Sequence, residues 1–227
     1  TLSGYLNGLM VTRTNVPSFI VTLAMQFALA GITLGLVRVF TGTTSLPIAG
    51  DEITTKLFGG FFFDQFEHAI FWAIGVTLVV AWVLQKSKYG NWIFALGGDT
   101  QSARAAGIPV EKTKIALFMA TGFAASLVGV IQTLIYNGAQ TGGGQSFVFN
   151  SVIAVVIGGV LLTGGYGSVF GIVLGTCTFA IVNQGVYYTG WNSDWAALIL
   201  GVLLLAAVLM NNTFRRAAMS SGEKKKK

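Results

Sequence analysis

Charge is what this chain lacks most. Residues 115–193 contain no Asp, Glu, Lys, Arg or His. Over the whole chain of 227 residues only 10% are charged, against about 25% in an ordinary soluble domain. Domains folded in water cover themselves with charges that are costly to bury, so this composition excludes a water-exposed globular surface. Cysteine is nearly absent too. The single Cys177 sits in an apolar run, which excludes an internal disulfide framework and a cysteine-based metal site. It reads as a small helix-packing residue. The only histidine is His68, and the long apolar runs hold no carboxylate. That argues against a proton relay, and so against an ion-coupled carrier. No G-x-x-x-x-G-K-[ST] phosphate loop occurs, so the chain is not expected to hydrolyse ATP itself.

What is present points to a lipid bilayer. Hydrophobic residues make up 53% of the chain, with 30 glycines and three prolines, and the mean hydropathy is +0.71. Glycine lets membrane helices approach closely, and about 20 apolar residues span the hydrocarbon core. The expected fold class is an all-α polytopic transmembrane bundle. Its crossings are expected at 16–37, 69–84, 115–135, 147–162, 169–186 and 196–210. The apolar opening, 1–12, is too short to cross. It reads as the tail of a helix that begins upstream, so the chain is expected to be the C-terminal part of a longer protein whose N-terminal helices lie outside it. A mixed stretch, 41–68, carries Asp51, Glu52, Lys56, Asp64 and Glu67 with an aromatic patch at Phe58 and 61–63. It is too polar to span and suits an interface, where His68 also belongs.

Basic residues flank the apolar segments rather than forming a patch, which excludes nucleic acid as a partner despite the net charge of +6. They anchor the cytoplasmic side. The main hydrophilic connection, 85–114, is net basic, and so is the tail, 215–227. If the connection is inside, four further crossings bring the C-terminus inside as well. The stretches 41–68, 136–146 and 187–195 then face outward, with Trp191 and Trp195 in the outer aromatic belt and Trp82 in the inner one.

Gly167, Gly171 and Gly175 recur at four-residue spacing and predict a helix face for close packing, not a phosphate cradle. Uncharged amides and hydroxyls within the apolar runs are costly unless satisfied, so they face other helices or a water-filled route. The candidates are Gln26, Gln132, Asn150, Ser151, Asn183 and Gln184. A route for neutral polyols would use such groups; interhelical hydrogen bonding would use them equally well.

Within the connection, Gly97-Gly98-Asp99-Thr100-Gln101-Ser102-Ala103-Arg104-Ala105-Ala106-Gly107-Ile108-Pro109 reads as one short punctuated helix. Asp99 or Thr100 caps it, residues 102–106 propagate it, Gly107 supplies a left-handed stop, and Pro109 opens the next helix. Spacing alone leaves two readings: a docking element, or an ordinary capped connection. The segment resembles the loop of permease subunits of bacterial ABC importers for monosaccharides, the ribose/xylose/galactose type. Pro17-Ser18-Phe19-Ile20-Val21-Thr22-Leu23 is similar to that family's helix entry. Residues 151–159 (Ser-Val-Ile-Ala-Val-Val-Ile-Gly-Gly) and 162–168 (Leu-Thr-Gly-Gly-Tyr-Gly-Ser) are similar to its glycine-rich C-terminal signature. The resemblance covers nearly the whole chain in order; it departs at Val160-Leu161, where many members carry a short polar residue.

The resemblance implies a single permease domain over 1–227 with 85–114 as its coupling loop. The loop helix would dock on a separate ATPase subunit through Asp99, Thr100, Arg104, Ala105 and Gly107. It implies a second permease subunit, identical or not, and a periplasmic sugar-binding protein. It also implies an inner-membrane location. No cofactor is expected in this chain, since ATP and Mg would bind to the partner. The competing readings are a permease for branched-chain amino acids or nucleosides, an ion-coupled carrier or channel, and a membrane scaffold that transports nothing.

Overall fold

The computed structural model describes residues 1–14, 16–48, 50–62, 66–189, 195 and 198–209. The expected basic tail, 215–227, and Trp191 lie outside these residues. The described residues form helices joined by short connections, in the order α1 (Leu2–Arg13), α2 (Ser18–Thr41), β1 (Ser45–Pro47), α3 (Glu52–Thr54) and a π-helical turn (Thr55–Gly59). There follow β2 (Phe61–Phe62), β3 (Phe66–Glu67), α4 (His68–Lys86), α5 (Lys88–Gly98), α6 (Thr100–Ala105) and α7 (Val110–Ile135). β4 (Gly138–Gln140), α8 (Gln145–Ile157) and α9 (Val169–Tyr188) complete the series, with a last apolar helix, α10, at Leu198–Leu209.

Among the described residues, four helices are long and apolar enough to cross a membrane: α2, α4, α7 and the Val169–Val186 part of α9. Their sides are left open. None of the apolar window of α4 is buried, and Phe40 on α2 is 81% exposed. Water would make such surfaces intolerable, whereas hydrocarbon is their natural solvent. The α2 helix follows Pro17 and stops at Gly42, whose φ of +71° lets its N–H return to the Arg38 carbonyl at 3.0 Å.

The expected crossing at 147–162 requires correction. Helix α8 ends at Ile157 because Gly158 and Gly159 follow, the latter at φ +78°. Its 13 residues extend only about 20 Å, short of a hydrocarbon core of about 30 Å. An irregular glycine-rich segment follows, up to Ser168. That residue caps α9, its hydroxyl accepting the Gly171 N–H at 3.0 Å. The hydrophilic connection also holds more structure than its motif suggested, since α5 occupies eleven of its residues. Gly90, Trp92, Ile93, Leu96 and Gly97 line the more buried side of α5. On its outer side the Lys88 ammonium lies 5.5 Å from the ring centre of Tyr89, a cation–π contact suited to an interface.

Contacts divide the chain into two compact units. The first comprises Thr1–Trp92 and Gln101–Gln145, the second Ile93–Thr100 and the described part of Ser146–Lys227. In the first, α1 packs on α7 through Gly4 and Gly8. A Cβ at Gly4 would strike the Phe118 carbonyl, and one at Gly8 would lie 2.8 Å from the Ile115 Cα. Strands β1 and β4 pair antiparallel, Ser45 opposite Gln140 and Pro47 opposite Gly138. The aromatic stretch folds back on α4, where Phe58 stacks on Trp72 with ring centres 4.9 Å apart. In the second unit α8 and α9 meet backbone to backbone. A side chain at Gly171 would strike the Gly158 carbonyl, and one at Gly175 would strike Ala154 and Gly158; Gly167 lies against Val160.

Candidate functional site

The loop helix is built by local chemistry alone. Helix α5 ends with the Asp99 N–H bonded to the Ala95 carbonyl at 3.1 Å, and the Thr100 hydroxyl, 3.4 Å from the Leu96 carbonyl, donates to it. Six residues of α6 follow. The helix is then closed by two reversed hydrogen bonds: Gly107 N–H to Arg104 at 3.0 Å and Ile108 N–H to Ala103 at 3.1 Å. That pattern is a Schellman motif, and it requires a left-handed residue at the position Gly107 holds with φ +79°. Pro109, at φ −75° and ψ 76°, makes an inverse γ-turn that returns the Val110 N–H to Ile108 at 2.8 Å. Ala103 is buried, whereas Arg104, Ala105 and Gly107 are exposed and Thr100 is half-buried. The loop therefore presents a small knob that exposes Arg104, with Asp99 exposed at its start.

The root of this knob is held by a contact that sequence reasoning missed. Gly164 and Gly165, at φ +88° and +79°, lie on Gly97 and Gly98 with no side chain between them. A Cβ on Gly97 would sit 2.6 Å from the Gly165 nitrogen. Both glycine pairs stood out in sequence, but nothing local says that they meet.

A cavity of about 680 Å³ opens where the β1–β4 ribbon meets the end of α7. Its size falls in the range of small-molecule sites. Ser45, Gln132, Thr133, Tyr136, Asn137 and Gln140 supply its polar groups, and Gly129, Gly143 and Gly144 its open walls. None of the described lining residues is charged. Such a surface offers hydrogen bonds in both directions without a counter-charge, the requirement of a neutral polar molecule. Of the six polar residues expected along a route, Gln132 lines this cavity. Gln26 shares the same unit, on α2. Asn150, Ser151, Asn183 and Gln184 belong to the second unit, on α8 and α9. Gln26, Asn150 and Asn183 are half-buried. Ser151 is satisfied within its own helix, its hydroxyl donating to the Val148 carbonyl at 3.0 Å. Ser45, Thr133, Tyr136, Asn137 and Gln140 were not anticipated. The Asn137-Gly138 pair is a chain-reversal signal that could have found them; Asn137 does adopt a positive φ of 48°.

Apolar helices of spanning length, open to hydrocarbon and joined by compact polar turns, define a polytopic helical membrane protein. Comparison with known proteins narrows this class. Residues 1–208 match the family described as branched-chain amino acid transport system/permease component, and the chain belongs to that family. It is 34% identical to a probable ABC transporter permease of Sinorhizobium fredii, over 92% of this chain and 61% of that protein. It is 32% identical to the ribose import permease of Escherichia coli strain K12, over 92% of this chain and 64% of the relative. With the galactose/methyl galactoside import permease of Haemophilus influenzae it shares 29%, over 92% and 62% respectively. The chain thus spans somewhat over three-fifths of the length of these curated relatives. No solved structure matches it.

Proposed function

We propose that this chain forms part of the translocation path of an ATP-driven, binding-protein-dependent importer of a monosaccharide. In this reading it is a permease subunit of the bacterial inner membrane rather than an enzyme. ATP and Mg bind to a separate ATPase, a second permease subunit completes the path, and a periplasmic binding protein delivers the sugar. The observation that carries the reading is the cavity whose described lining is hydroxyls and amides without a charge, in a chain whose relatives are named ribose and galactose/methyl galactoside import permeases. An amino acid would bring an ammonium and a carboxylate, each favouring a charged partner, and the described lining residues include none.

In this reading 85–114 and the C-terminus face the cytoplasm, an orientation that rests on the basic flanks; two long-range contacts agree with the pairing of loops it requires. Stretches 41–68 and 136–146, both assigned outside, are joined by the β1–β4 ribbon. On the other side, the bend after α8 rests on Gly97 and Gly98 of the inner connection. In this reading α8 and the irregular segment after it together make one crossing. The loop helix is the docking element, with Arg104 as its exposed charge and Gly107 fixing its end.

The test is uptake by proteoliposomes holding the whole transporter, its ATPase and its binding protein, against a panel of neutral pentoses, neutral hexoses and leucine. ATP-dependent accumulation of a neutral sugar is expected. Arg104→Glu and Gly107→Pro should each lower it about tenfold or more while membrane insertion is retained, as expected when a docking contact of about 1.4 kcal/mol or more is lost. Accumulation of leucine alone would overturn the sugar assignment. Unchanged uptake in both variants would remove the coupling role of the loop.

A further inference from the structure

The end of α5, from which the loop helix continues, meets the bend before α9 by backbone alone. We propose that the contact of Gly97 and Gly98 with Gly164 and Gly165 is the element through which a displacement of the loop helix reaches α8 and α9. The inference rests on the docking role proposed for that helix and assigns how docking is transmitted.

Three observations carry it. The contact is free of side chains and cannot tolerate them. A Cβ on Gly164 would lie 2.6 Å from the Gly97 oxygen, and one on Gly165 would lie 2.9 Å from the Gly98 Cα. Both residues also hold positive φ, which costs other residues about 1–2 kcal/mol. Side chains can absorb a small shift by changing rotamer, but two backbones in contact cannot, so the contact moves as one piece.

Each side of the contact is itself rigid. Toward the loop helix, the last turn of α5 hands over to α6 with hydrogen bonds at Asp99 and Thr100, and Leu96 is buried. Toward the membrane, residues 161–166 form a turn closed by Leu161 N–H to Tyr166 at 3.2 Å and Gly164 N–H to Leu161 at 2.9 Å. Beyond the turn, α8 and α9 are locked together by the second set of glycines, Gly158, Gly171 and Gly175. A continuous line of backbone contacts therefore runs from Thr100 to the two helices that carry Asn150 and Asn183. Finally, residues Ile93–Thr100 cluster with the C-terminal unit although more than forty residues separate them in sequence from its start at Ser146. The residues that lead into the loop helix therefore belong with α8 and α9, while residues 101–105 cluster with the first unit.

Amide hydrogen exchange on the whole transporter in nanodiscs tests this with the wild-type chain. Addition of a non-hydrolysable ATP analogue, which binds the ATPase subunits, should change exchange by about threefold or more at 99–107 and also at 161–166, two segments open to local unfolding. A change confined to 99–107 would overturn the transmission proposal and leave docking intact. No change at either segment would overturn the docking reading itself. The paired variants Gly97→Ala and Gly98→Ala give a second readout. Gly98 has no atom within 4 Å of an added methyl group, so Gly97→Ala should transport about tenfold less than Gly98→Ala while still co-purifying the ATPase; tenfold corresponds to about 1.4 kcal/mol. Equal uptake would contradict the proposal. If Gly97→Ala does not insert, the wild-type exchange pattern decides.

Discussion

Glycine has opposite meanings in two parts of this molecule. On α2 and α4, Gly31, Gly35 and Gly75 have no atom within 4 Å of where a Cβ would stand. On the α8–α9 pair and the bend between them, Gly158, Gly164, Gly171 and Gly175 would each drive a Cβ into another backbone. The first group only weakens its helices, at about 0.5–1 kcal/mol per residue relative to alanine. The second allows helices to pack with their main chains in contact, which in lipid replaces the hydrophobic drive that lipid does not supply. The lesson is that glycine content marks a membrane protein, but only three-dimensional contact distinguishes a joint from a gap.

Substitutions should separate the two groups in order of size. Gly175→Leu has the largest expected effect, because Ala154 and Gly158 cannot retreat from a side chain four carbons long. Overpacking here should cost about 3 kcal/mol or more, seen as loss of a monodisperse peak in detergent chromatography; a normal peak would break the comparison. Gly164→Ala and Gly107→Ala come next and sharpen it. Both sites have positive φ, but Gly107 is open and Gly164 is in contact. Gly107→Ala should cost about 1 kcal/mol from backbone strain alone and Gly164→Ala clearly more, read as the difference between their thermal midpoints. Ser168→Ala removes the cap of α9 and should cost about 1 kcal/mol by the same measurement. The smallest effect has the reverse sign: Gly75→Ala on α4 should raise stability by up to about 1 kcal/mol. A loss at Gly75 would show that a partner subunit covers that face.

Much of this architecture is legible in the sequence, for reasons that differ by region. The spans at 16–37, 69–84, 115–135 and 169–186 follow from uninterrupted apolar runs, and each has a matching helix in the structure. The stop of the loop helix was readable, because Gly107 and Pro109 act through bonds to near neighbours; at its start the Thr100 hydroxyl bonds back to Leu96 of α5. The end of α8 was misjudged because Val160 and Leu161 continue the apolar run past Gly158 and Gly159, and hydropathy does not register a left-handed glycine. Helix α5 was missed because Gly90, Asn91, Gly97 and Gly98 have poor helix propensity; a buried face decides in its favour. The cavity and the Gly97–Gly165 contact both require segments far apart in the chain to meet, and no local pattern encodes that.

Sidedness tests the account most directly. With Cys177→Ala as background, single cysteines at Gly142 in the β4–α8 turn and at Ala106 beside the loop helix are each exposed in the structure. A membrane-impermeant maleimide applied to intact cells should label Gly142→Cys and leave Ala106→Cys unlabelled until the cells are permeabilised. Labelling of both from the same side, or of Ala106→Cys alone in intact cells, would contradict a permease whose polar cavity faces outward and whose loop helix meets an ATPase within.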